Sequence, residues 1–234
     1  MSVQPAESTI ASPPIVQPAT AFRDLGTLTR WLRILLWVNI AMAVIAAVSG
    51  LLQLKLLSDL NAGLSLAPGE AEANDLREQI IALVHFAQIL AMIVLFCIWI
   101  YRANYNARQL GAAEMKFTPG WAVGWYFIPI LNLWKPYQAM KEIWKASANP
   151  AHWQDEPRGS ILPLWWTFFL ISNWVSNLSF RLPLRAETLP QLINATTVSI
   201  VNDLVDIIST PIALVLVRQI YQMQMSHRLR ATFA

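Results

Sequence analysis

The sequence has few charged residues and almost no cysteine. Only 13% of its 234 residues are charged, whereas ordinary soluble domains reach about 25%. The single cysteine, Cys97, excludes an intrachain disulfide and any paired-cysteine metal or redox site. His85, His152 and His227 are far apart and lack metal-ligand spacing. We therefore expect no metal site.

Recognisable catalytic and nucleotide-binding motifs are also missing. Neither the nucleophile elbow G-x-S-x-G nor the phosphate-binding patterns G-x-x-x-x-G-K-[ST] and G-x-G-x-x-G occur. The 17 basic residues are scattered beside apolar runs, whereas proteins that bind nucleic acid gather them into patches. We therefore expect a protein that is not an enzyme, has no cofactor and binds no nucleic acid.

Long apolar runs are what the sequence does have. Hydrophobic residues make up 56% of the chain, and the mean hydropathy is +0.42. A helix needs about 20 residues to cross a hydrocarbon core of about 30 Å. Four stretches reach that length, residues 34–54, 80–100, 161–180 and 197–217. The sequence thus predicts an all-α polytopic bundle with the lipid bilayer as its solvent.

A fifth apolar segment, residues 120–134, is short for a span. Thr118 followed by Pro119 is typical of a helix start, because neither position needs an internal hydrogen-bond donor. Pro129 in the middle predicts a break near Ile130. We interpret 120–134 as a Trp/Pro-rich re-entrant or interfacial hairpin, called the Trp/Pro hairpin below. A fifth spanning helix is the alternative.

Flanking segments complete the domain organisation. We predict a disordered cytoplasmic tail over residues 1–29, the multi-pass domain over residues 30–225 and a short C-terminal tail over residues 226–234. Residues 136–147 carry apolar side chains on one face and lysines on the other. That pattern indicates an amphipathic helix at the membrane interface.

Basic residues favour four spans over five, since they accumulate in cytoplasmic loops. If the Trp/Pro hairpin returns to its side of entry, thirteen of the 17 basic residues lie inside. If it crosses, the division is eight inside and nine outside. We therefore expect four spans in the cell membrane, with both termini cytoplasmic.

Six polar residues fall within the predicted spans at similar depth. A carboxylate near the centre of a span costs at least about 2.5–3.5 kcal/mol, so it should face protein or water. Depth matching at 1.5 Å per residue predicts one outer-half polar cluster of His85, Gln88, Asn173, Asn177, Asp203 and Asp206. Two interpretations stay open, a solute or proton site and interhelical hydrogen bonding that only stabilises the bundle.

Residues 102–147 resemble an uncharacterised bacterial multi-pass membrane family, domain of unknown function four-three-two-eight. The resemblance is carried by a spacing of Trp, Pro and Asn residues, namely Arg102, Asn104, Asn106, Leu110, Gly120, Trp121, Trp125, Phe127, Pro129, Asn132, Leu133, Pro136 and Trp144. It implies a bacterial membrane domain and supplies no catalytic or binding residues.

Three classes of function follow. The first is a non-enzymatic membrane component that binds a partner protein, a second copy or a lipid through the hairpin, with Trp121, Trp125, Pro129, Asn132 and Pro136 as its characteristic residues. The second is a transporter or channel subunit that uses the polar cluster. A membrane-embedded enzyme comes third, because no nucleophile and base pair is visible.

Overall fold

The computed structural model describes residues 22–233, and its regular structure in that range is entirely helical. Of the predicted N-terminal tail, residues 1–21 lie outside the described residues, and residues 26–29 belong to the first helix. Residues 226–233, predicted as a tail, are helical. The helices are α1 (Gly26–Asn61), α2 (Glu70–Gln109), α3 (Pro119–Gly124), α4 (Lys135–Ala148), α5 (Ile161–Arg181) and α6 (Leu189–Phe233).

Membrane-compatible helices account for the predicted spans in part. Within residues 22–233, the three helices α1, α2 and α6 are long and apolar enough to cross a bilayer. α5 coincides with the predicted stretch 161–180 but is not among them. Five Ser and Asn side chains in its second half lower its hydropathy. The all-helical class is confirmed.

The four long helices run antiparallel in chain order, so the bundle has two distinct ends. At one end, the backbone N–H of Arg23 donates to Asn106 Oδ1 of α2 at 2.9 Å, and Gln224 Nε2 of α6 donates to Ser147 Oγ of α4 at 2.8 Å. We call this the hairpin end. The opposite end, called the loop end, holds the turns 62–69 and 182–188.

The Trp/Pro hairpin leaves from and returns to the hairpin end. Glu142 of α4 accepts hydrogen bonds from the backbone N–H groups of Lys116 and Phe117, at 2.7 and 3.0 Å, just before the hairpin begins. The Thr118 side chain caps α3 as predicted, accepting from the Trp121 N–H. The predicted break is confirmed at Ile130, where φ is +68°.

Beyond its start, the hairpin packs along α5. Trp166 Nε1 donates to the Leu133 carbonyl at 3.2 Å, and the rings of Tyr126 and Phe169 meet edge to face at 5.9 Å. Phe169 lies eight residues beyond Ile161, the first residue of α5. At 1.5 Å per residue, the hairpin therefore reaches about 12 Å along α5.

Burial is concentrated at the hairpin end. Trp99 and Ile100 of α2 are at most 1% exposed, whereas Leu83 and Phe86 of the same helix are 70% and 61% exposed. Only 6% of the most apolar window of α2 is buried within the protein. Such large exposed apolar surfaces mark contact with lipid or protein rather than with water.

We predicted that the apolar face of α4 lies on the membrane interface, but in the structure this face is covered by protein. Met140 and Ile143 are at most 1% exposed and belong to the same core as Ala103 of α2 and Ile220 of α6. The physical reason is the length of α6, whose 45 residues span about 68 Å. Its last turns extend beyond a bilayer core of about 30 Å and supply a protein surface for α4.

We predict that Gly159→Ala destabilises the packing at the hairpin end. An added Cβ would lie 2.3 Å from Cε2 and Cζ2 of the Trp144 indole, so the ring must move. Overpacking of this kind costs about 1–3 kcal/mol, which thermal unfolding in detergent would detect. Gly120→Ala is the matched control, because nothing lies within 4 Å of its added Cβ. Equal melting temperatures for the two variants would contradict the prediction.

Candidate functional site

Gln88 takes part in a hydrogen-bonded bridge that joins three helices. Its Nε2 donates to Asn39 Oδ1 of α1 at 2.9 Å, and Asn39 Nδ2 donates to Thr210 Oγ1 of α6 at 3.0 Å. We call this set the Asn39 bridge. Asn39 and Thr210 were missed by sequence reasoning, which matched depths on the other three helices. Depth arithmetic over the predicted spans could not have found Asn39, because it puts Asn39 about 22 Å and Gln88 about 12 Å from the outer edge.

Asp206 belongs to a second set of polar contacts, between α5 and α6. Ser172 Oγ of α5 lies beside the Asp206 carboxylate and donates to Ser209 Oγ at 3.3 Å. Further along the same helix pair, Ser176 donates to Asn202 Oδ1 at 2.7 Å. Small hydroxyl side chains therefore let α5 and α6 approach closely.

Asn173 and Asn177 lie on a different face of α5. Both are exposed and line a cavity of about 620 Å³ together with Asn132 of the hairpin and Arg181. Asn173 Nδ2 donates to the Phe169 carbonyl of its own helix at 2.8 Å. The structure thus places these two asparagines on a surface apart from Asp203, because the serine contacts occupy the face of α5 turned towards α6.

Asp203 lines a cavity of about 390 Å³ near the loop end, called the Asp203 cavity below. Its walls come mainly from α1, α2 and α6, and include Gln53, Glu78, Gln79, Thr196, Ser199 and Asp203. Asp203 is only 7% exposed. His85 lies further along α2, and its buried Nε2 has no hydrogen-bond partner among the described residues.

A larger cavity lies at the hairpin end, between the Trp/Pro hairpin and α4. It has a volume of about 740 Å³ and combines four lysines with aromatic rings. We call it the lysine cleft; its lining residues are Lys116, Phe117, Trp121, Trp125, Lys135, Gln138, Lys141, Glu142, Lys145, Trp153 and Gln154.

The charge of the lysine cleft is strongly positive. Its one carboxylate, Glu142, is already occupied by the two backbone N–H groups at the start of the hairpin. Lys145 Nζ donates to the Gln154 carbonyl at 2.7 Å, and Lys135 Nζ lies 5.6 Å from the Trp125 ring centroid. Four ammonium groups against one carboxylate leave an excess of three positive charges for an anionic ligand.

The five characteristic hairpin residues contribute unequally to the cleft. Trp121 and Trp125 stack at 4.7 Å between centroids and form part of its wall. Pro129 lies at the hairpin turn, Asn132 lines the cavity beside α5, and Pro136 is buried in the first turn of α4. Only the two tryptophans therefore face the lysine cleft.

Polar residues before the hairpin position it. Asn104 Nδ2 and Arg108 both donate to the Phe117 carbonyl at 3.0 Å, and Arg108 also donates to the Met115 carbonyl at 2.8 Å. Arg102 donates to the Asp24 carbonyl at 2.8 Å. These side chains donate hydrogen bonds to backbone carbonyls of irregular segments, which have no partner in a helix. Arg and Asn at this end of α2 therefore have a structural role.

Residues 62–222 match a protein family described as a domain of unknown function, DUF4328. The chain belongs to this family. The match extends from the turn after α1 into the last part of α6 and confirms the resemblance drawn from the hairpin residues. No curated protein and no solved structure matches the chain. DUF4328 membership names no activity, so function is argued from the cavities.

We predict that Asn39→Ala destabilises the bundle by about 1–2 kcal/mol, because it removes two interhelical hydrogen bonds. The Gln88 amide would lose its acceptor on Asn39. Unfolding in mixed micelles measures the change. Asn173→Ala is the control, since its amide bonds only to its own helix and is exposed. A comparable loss in both variants would show that the Asn39 bridge does not stabilise the fold.

Proposed function

We propose that this protein is a non-enzymatic membrane component that binds an anionic phospholipid, with the headgroup in the lysine cleft. The observation that carries the proposal is the convergence of four lysines and two stacked tryptophans on one cavity of headgroup size. A single amphipathic helix would present its lysines to water, whereas here two chain segments enclose them.

Electrostatics supports an anionic ligand. Juxtamembrane lysines attract anionic lipids with about 1 kcal/mol each, and a phosphate accepts several hydrogen bonds from ammonium groups at once. The ammonium groups of Lys116 and Lys141 make no hydrogen bond or ion pair with other described residues, so both are available to a ligand.

The position of the cleft supports a lipid rather than a soluble anion. Above the lysines, the hairpin exposes apolar side chains, including Phe127 at 64% and Ile130 at 71%. A ligand bound here would therefore meet positive charge at the base of the hairpin and apolar surface towards its turn. That order matches a phospholipid, which carries its charge at one end and its acyl chains at the other.

Topology supports the same assignment. We propose four spans, with α5 as the fourth, and a Trp/Pro hairpin that enters and leaves the membrane from the cytoplasmic side. This arrangement leaves thirteen of the 17 basic residues at the hairpin end, as expected for cytoplasmic segments of a cell-membrane protein. The lysine cleft would then face the leaflet that carries anionic lipid.

We predict that the purified protein binds phosphatidylglycerol in preference to phosphatidylcholine with the same acyl chains. Lys141→Gln should weaken this binding about fivefold, the equivalent of about 1 kcal/mol for one lost basic residue. Native mass spectrometry of the delipidated protein in mild detergent, titrated with each lipid, gives the ratio of bound to free protein.

Lys55→Gln is the matched control, because it removes one lysine at the loop end, where Lys55 pairs with Asp59. It should leave lipid binding unchanged. Equal binding of the two lipids, or equal effects of the two lysine variants, would refute the proposal. Competition by inorganic phosphate at the same concentration as the lipid would identify a soluble anion as the ligand instead.

Cysteine labelling tests the topology. In a Cys97→Ser background, Lys116→Cys and Lys145→Cys should both be protected from a membrane-impermeant thiol reagent added outside the cell. Ala67→Cys, in the exposed turn between α1 and α2, should react and serves as the positive control. Reaction at position 145 but not at 116 would mean that residues 120–134 cross the membrane.

A further inference from the structure

The Asp203 carboxylate is buried near the loop end without a partner. It is 7% exposed, and among the described residues no donor forms a hydrogen bond or ion pair with it. The charges that act on it are the carboxylates of Asp206 and Glu78. A buried carboxylate without hydrogen bonds or a counter-charge is costly, so its setting is explained best by a ligand that supplies positive charge.

The cavity beside Asp203 has room for such a ligand and offers it further oxygen atoms. The side chains of Gln53, Gln79, Thr196 and Ser199 share the wall with Asp203. Amide, hydroxyl and carboxylate oxygens are the ligands that hard cations prefer in proteins. At about 390 Å³ the cavity is large enough to admit a cation with part of its hydration shell.

Charge compensation decides between one and two positive charges on the ligand. Glu78 also lines the cavity, but it accepts from Ser49 Oγ and lies 3.4 Å from the Arg77 guanidinium. Arg77 in turn donates to the Ser49 hydroxyl and to Asn74, so it is held towards Glu78. The pair Arg77 and Glu78 is neutral as a unit, and Asp206 does not line the cavity, so Asp203 carries the one uncompensated negative charge in its wall.

We infer that the Asp203 cavity is a binding site for a monovalent cation, with Asp203 as its charged ligand and the side-chain oxygens of Thr196 and Gln53 nearby. A divalent metal fits less well, because no group of three His, Cys, Asp or Glu side chains converges anywhere in residues 22–233. This site lies at the opposite end of the bundle from the lysine cleft, so the failure of one proposal would leave the other unaffected.

The experiment measures thermal unfolding of the purified full chain in detergent while NaCl or KCl replaces choline chloride at constant ionic strength. We expect a saturable rise in melting temperature with one of the two cations, since a ligand that binds only the folded state stabilises it. Asp203→Asn keeps the side-chain shape but removes the charge, and it should abolish the saturable rise. Asp59→Asn, a loop-end substitution outside the cavity, should retain it.

Calorimetric titration of the unmodified protein with the same salts gives a second test that does not depend on how Asp203→Asn folds. Saturable heat from sodium or potassium, absent with choline, supports the site. An identical salt response in the unmodified protein and Asp203→Asn would overturn it. Stabilisation by low pH alone, with no difference between the salts, would also overturn it, because a proton would then neutralise Asp203.

Discussion

Irregular backbone that is kept from water must find hydrogen-bond partners in the protein, and this constraint organises the hairpin end. In the Trp/Pro hairpin the helix is interrupted at Pro129, and Ile130 has a positive φ. The backbone N–H and C=O groups there cannot all pair with one another as they do in a continuous helix. Trp166 of α5 donates to one of its carbonyls, and Glu142 of α4 accepts two N–H groups at its start. The positions of α4 and α5 follow from those needs.

The same contacts create the lysine cleft. Glu142 holds the start of the hairpin against α4, which brings Lys116 beside Lys141 and Lys145 although they are distant in sequence. Both oxygens of Glu142, the one carboxylate of the cleft, accept hydrogen bonds from backbone N–H groups at the start of the hairpin. Glu142 therefore pairs with the backbone rather than with a lysine. One interaction therefore both closes the cavity and preserves its positive charge.

Sequence reasoning identified the helices and the hairpin because both depend on local signals. Apolar runs, the Thr118 and Pro119 start and the Pro129 break are read from adjacent residues. Helices cover all four predicted stretches, three of them long and apolar enough to cross a membrane, and Thr118 caps α3. It failed to anticipate the burial of the apolar face of α4, because that burial depends on the last turns of α6, far along the chain.

The candidate site was predictable only in part for a similar reason. Depth along a helix follows from residue number, and of the residues matched in this way Gln88 and Asp203 are buried and Asp206 is half-buried. Facing direction depends on which helices are neighbours. Asn173 and Asn177 share the depth of the other residues but point away from α6, because Ser172 and Ser176 occupy the contact.

The distribution of charge gives the two ends of the bundle opposite chemistry. At the hairpin end, four lysines face one occupied carboxylate, whereas near the loop end Asp203 remains after Arg77 and Glu78 compensate each other. Between them, the Asn39 bridge uses neutral amides and a hydroxyl, which join three helices without placing a charge in the bilayer. The two cavities therefore differ in the sign of their charge, which favours a negative ligand in the lysine cleft and a positive one in the Asp203 cavity.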